Sequence, residues 1–158
     1  MIQHTKIQSI IARYEDLVNG DPWYGTAVYE VLDNFPVGLV YRKARPTDHS
    51  PIDILYHIIN WTEFTLRRIE HKNDGEPLYS EKNDWRTIDP KVHTWKKGTA
   101  ELKRIQKQII RELKKKDDSF LEEPVDYRDY DFEYLLNGLA DHHIYHLGQI
   151  TLLKKLLS

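Results

Sequence analysis

Apolar residues recur three and four positions apart in four long segments of this chain, and the sustained alternation of a half-buried strand is almost absent. The pattern predicts an all-α protein. In the first segment, about residues 3–19, Ile7, Ile10, Ile11, Tyr14, Leu17 and Val18 form one stripe before Gly20-Asp21-Pro22 stops the helix. A shorter helix is expected over about residues 25–34, ending where Phe35-Pro36 and Gly38 break the pattern. The second long helix opens with Ser50 as N-cap and Pro51 in the first turn and reaches about His71. A polar loop over residues 72–89 leads to a third long helix, opening at Pro90 and carrying Val92, Trp95, Leu102, Ile105, Ile109 and Leu113 on one face. The last helix covers about residues 130–157, with Leu135, Leu139, His142, His146, Gln149 and Leu153 inward. Four amphipathic helices of this length pack most simply as a four-helix bundle, here with a short additional helix after the first, in one domain spanning residues 1–158.

Composition narrows the chemistry. Of 158 residues, 30% are charged and 40% apolar, and no run approaches the roughly 18 apolar residues that a membrane span needs. The residues after Met1 show no basic stretch followed by an apolar run, so a secretory signal is not expected and the cytoplasm is the expected compartment. There is no cysteine, which removes disulfides, cysteine-ligated zinc and a cysteine nucleophile together. Net charge is only −2, and a basic block from Lys103 to Lys116 precedes an acidic one from Asp117 to Asp131. Neighbouring blocks of opposite sign describe a solvated helix face and its loop, and nucleic-acid binding is not expected.

Against that background the histidines stand out. His142 and His146 lie four apart, one turn above each other on one helix face, where two imidazoles can reach one ion. His57 shares its stripe with Ile54, Trp61 and Phe64, which turns it toward the core as a third ligand candidate. A lone histidine on an apolar stripe is more often a hydrogen-bonded core residue than a ligand. Three buried imidazoles, however, all need partners, and one bound cation satisfies all of them. A di-iron bundle would need Glu three positions before a histidine, and a zinc-protease helix would need His-Glu; neither occurs here. What remains is a mononuclear site of three neutral imidazoles with an open position, the pattern of a catalytic zinc, although nickel and ferrous iron also accept imidazole. His143 falls with Leu136, Leu147 and Ile150, beside the stripe of His142 and His146, and is read as a residue behind the ligands or at an interface. Asp141 and Gln149 flank the pair and are candidates for orienting imidazoles by hydrogen bonds. His4, His49, His71 and His93 are read as surface residues.

Three marks together resemble the DinB/YfiT-like superfamily of four-helix bundles, which includes the bacillithiol S-transferases. They are Gly20-Asp21-Pro22-Trp23-Tyr24-Gly25-Thr26, then Ser50-Pro51-Ile52 followed by Leu55-x-His57-Ile58-x-x-Trp61, then His142-x-x-x-His146-x-Gly148-Gln149-Ile150. Their order and separation match the family's over nearly the whole chain. The resemblance implies that His57, His142 and His146 are the metal ligands in an open cavity, with Trp23 and Trp61 as aromatic neighbours. It implies a divalent metal, with zinc first and nickel or iron next, and a low-molecular-weight thiol as cosubstrate, transferred to an electrophile. Metal-dependent hydrolysis is the nearest alternative, since the same ion activates water as well as a thiol. A non-catalytic metal- or small-molecule-binding stress protein is the alternative from another class. The expected partners are a small-molecule substrate and a second copy in a homodimer, with no membrane.

Overall fold

The structure is a computed structural model, and it describes residues 5–72 and 78–158. Among them there are six α-helices and no strand: α1 (Lys6–Asn19), α2 (Val28–Asp33), α3 (Pro51–Ile69), α4 (Leu78–Lys82), α5 (Trp95–Leu113) and α6 (Phe132–Leu157). The all-α expectation holds. The start expected for the first helix, at residue 3, and His4 lie outside the described residues.

The long helices α1, α3, α5 and α6 form the bundle. Both α1 and α3 pack against α5 and α6, so each pair of opposites faces across the core. Consecutive helices α1 and α3 are therefore diagonal, and so are α5 and α6, which explains two long connections. The first carries α2, which packs on α1, α5 and α6; the indole of Trp95 donates to the Leu32 carbonyl at 3.0 Å and fixes it there. The second carries a 3-10 turn, Asp118–Glu122, whose Asp118 carboxylate accepts from the backbone N–H groups of Lys6 and Ile7 and so caps α1.

Local chemistry sets the helix ends. Reciprocal capping boxes close the starts of α1 (Thr5 with Gln8) and α3 (Ser50 with Asp53), and Asp131 caps α6. His71 ends α3 in a left-handed conformation (φ 51°), with the His71 N–H on the Arg68 carbonyl and the Lys72 N–H on Arg67, both at 3.0 Å. That is the paired pattern which satisfies carbonyls at a helix C-terminus, made here without the usual glycine.

Three expectations are corrected. The third long helix does not open at Pro90: the Asp89 carboxylate and carbonyl collect the N–H groups of Lys91, Val92 and His93 in a tight turn, Thr94 becomes the N-cap, and Val92 is exposed. The polar loop before it also contains α4. On α6 the buried face is wider than the expected stripe: Leu135, Leu139, His146 and Leu153 are buried as expected, and Leu136, Ala140, His143, Leu147 and Ile150 are buried beside them. His143 is 1% exposed and lies in line with Leu136, Ala140, Leu147 and Ile150, whereas His142 and Gln149 are only half-buried. The cause is that α6 is covered on two sides, by α1 and by α3, so its buried arc is wider than a single-neighbour stripe. Helix α3 is covered further still and buries most of its residues.

Candidate metal centre

His57 is set by α3, and His142 and His146 by successive turns of α6, the helix packed beside it. The three rings converge: centroids lie 4.9 Å apart for His57 and His142, 4.5 Å for His57 and His146, and 4.4 Å for His142 and His146. One ring nitrogen from each lies within 4.8 Å of the others, so the cluster is able to hold a metal ion. The closest approach is Nε2 of His57 to Nε2 of His142, 2.9 Å.

The partners of the outer nitrogens decide which lone pairs point inward. Nδ1 of His57 lies 2.7 Å from Asp84 Oδ1, a carboxylate that only accepts, so Nδ1 carries the proton and neutral His57 presents a lone pair at Nε2. Nδ1 of His146 lies 2.7 Å from the Gln149 side-chain oxygen, and the same logic frees its Nε2. Both imidazoles are thus held in the form a cation binds. His142 is different: its Nδ1 is buried without a hydrogen-bond partner among the described residues. Without a cation, its Nε2 proton must bridge to His57, which leaves Nδ1 a desolvated lone pair. A cation held at Nε2 would leave that proton on Nδ1. The donor set therefore fits a divalent metal that takes neutral imidazoles.

Electrostatics favours the neutral rings. Burial lowers the pKa of His57, against the opposing pull of Asp84, and it lowers that of His146 against its bond to Gln149. His142 is pushed down to about 3, first by burial and then by its histidine neighbours. At neutral pH the three rings are therefore uncharged, and the one proton on an inward nitrogen is that shared between His142 and His57.

The remaining candidates separate. Trp61 is tied to the site, its indole donating to Asp84 Oδ1 at 2.6 Å, so it positions the carboxylate that positions His57. Gln149 acts on His146 as described. Asp141 instead pairs with Arg13 at 2.6 Å in an exposed ion pair. Trp23 is fully exposed beside a surface hollow with Arg13, Pro22 and Tyr24, away from the histidines. His143 lies in the bundle core, with Nδ1 2.7 Å from the Leu139 carbonyl, Nε2 3.4 Å from the Thr62 hydroxyl, and its ring edge-on to Tyr14.

Asp84 and Trp85 escaped the sequence reading. Trp85 stacks on His57 (4.0 Å, 7°), and His49 stacks on the other face of Trp85 (3.6 Å, 11°), forming a three-ring pile over the cluster. Both residues sit in a polar connection without periodicity; an isolated Asp-Trp pair in such a loop was the one available signal. Asp84→Asn is expected to lower zinc affinity by about 10- to 100-fold, because the amide no longer fixes the His57 proton. Competition with a chromophoric chelator measures the change.

The fold and cluster define a helical bundle with a histidine site able to bind metal. A model of the DinB superfamily matches residues 25–150, a span that contains all three histidines, and the chain belongs to that superfamily. Comparison with curated proteins returns no match.

Proposed function

We propose that His57, His142 and His146 hold one divalent cation, zinc first among the candidates, and that the site transfers a low-molecular-weight thiol of the bacillithiol type to an electrophile. The observation that carries the metal reading is the paired restraint of Nδ1 on His57 and His146, which turns two lone pairs toward His142. Resemblance to the bacillithiol S-transferases supports the thiol.

When bound, the cation lowers the pKa of a thiol at the open position, so the sulfur is a thiolate near neutral pH. The chain's own residues provide orientation and exclusion. Asp84 and Gln149 fix the imidazoles, and Trp85 shields one face of His57 from water. The thiol proton passes to solvent, and a sulfur–carbon bond forms as the carbon–leaving-group bond breaks. The leaving group departs with the electron pair and takes a proton from water. A chain with no cysteine has no thiol of its own competing for the position.

Cobalt-substituted protein tests the reading. Adding bacillithiol, glutathione or coenzyme A is expected to produce a sulfur-to-cobalt charge-transfer absorption that is absent in His142→Ala. No such band with any thiol, together with metal-dependent hydrolysis of an ester or amide, overturns thiol transfer in favour of hydrolysis. Cobalt uptake with neither result makes the domain a binding module.

A further inference from the structure

We infer that a separate apolar pocket beside the histidines receives a one-ring aryl or similarly sized branched alkyl group, and that Gly138 keeps it open. The pocket has a volume of about 190 Å³, and His142 forms part of its wall together with Trp61, Phe64, Tyr134 and Leu139. A cavity of this size with an apolar lining suits an apolar group of roughly benzene's bulk. The inference rests on the metal reading only for the orientation of the ligand, whose reactive end then faces His142.

Gly138 is the residue that needs explaining. It lies in the middle of α6, one turn before His142 and one turn after Tyr134, where glycine is the poorest helix former after proline. No backbone conformation requires it, since Gly25 is the one described glycine with positive φ. No close approach requires it either: a Cβ built there meets nothing within 4 Å. The missing side chain leaves a gap in the 134–138–142 ridge, and that gap is part of the pocket wall. Trp61 forms another wall with its indole N–H already committed to Asp84, so it offers its carbon surface.

Titration of zinc-loaded and zinc-free protein with 4-fluorobenzyl alcohol, followed by fluorine NMR, tests this, with 2-fluoroethanol as the ringless control. The aryl probe is expected to bind at least about tenfold more tightly than the control, as burial of one ring requires. Gly138→Leu is expected to abolish that preference while leaving zinc stoichiometry unchanged and raising the melting temperature. Should the leucine variant not fold, Gly138→Ala is expected to raise the melting temperature and weaken the aryl probe measurably. Equal binding of both probes, or undiminished aryl binding in Gly138→Leu, overturns the pocket assignment. Aryl binding by a protein that takes up no zinc leaves the pocket standing and removes the metal reading; zinc uptake without aryl preference does the reverse.

Discussion

His142→Ala is expected to abolish stoichiometric metal binding with little loss of fold, and His143→Ala to keep the metal while losing stability. His142 is half-buried and carries an unpartnered Nδ1, so deleting its ring removes an inward nitrogen and an unsatisfied polar atom together. His143 is 1% exposed, bonds to the Leu139 carbonyl and packs edge-on against Tyr14. Its truncation leaves a cavity at the bundle centre and removes the ring's hydrogen bond to the Leu139 carbonyl, at a cost of about 2–4 kcal/mol. Elemental analysis after identical loading, with urea denaturation of the metal-free proteins, separates the two. Loss of metal from both variants with equal destabilisation would contradict the division.

Acid is expected to destabilise the metal-free protein well above the carboxylate range. Burial holds His143 down at about 4 and His142 at about 3, whereas in the unfolded chain each titrates near 6.5. Between those values the unfolded chain takes up protons that the folded chain refuses. The stabilisation is therefore complete above about pH 6.5, falls as pH drops, and flattens for His143 below about pH 4 and for His142 below about pH 3. For the fully buried His143 this amounts to roughly 3 kcal/mol across the window. Urea midpoints in the presence of chelator should fall from pH 7 to pH 5, and the fall should be smaller in His143→Gln, which has no proton to take up. Parallel pH profiles for the two proteins would place the acid sensitivity elsewhere.

The four long helices were legible because each buries a stripe at helical spacing, and Ser50-Pro51 marks a start that capping chemistry enforces. Where a turn used the same residue types, the reading erred. Pro90 is an acceptable first helical residue, but Asp89 captures the next N–H groups and delays the helix to Trp95. The width of the buried face of α6 escaped because a single stripe cannot report burial against two neighbours, and that width is what takes His143 into the core. The three converging histidines could be read from spacing within α6 and from the stripe of α3. Asp84 and Trp85 could not, since only the path of the α3–α5 connection brings them to His57.

X-ray absorption at the zinc edge of the loaded protein tests the three-histidine site most directly. The expected result is one zinc per chain with three imidazole nitrogens at about 2.0–2.1 Å and an oxygen or sulfur donor completing the shell. The imidazole scattering should drop to two rings in His57→Ala and in His146→Ala if either still retains metal. Zinc surrounded by carboxylate oxygens, or an unchanged spectrum in both variants, would contradict it.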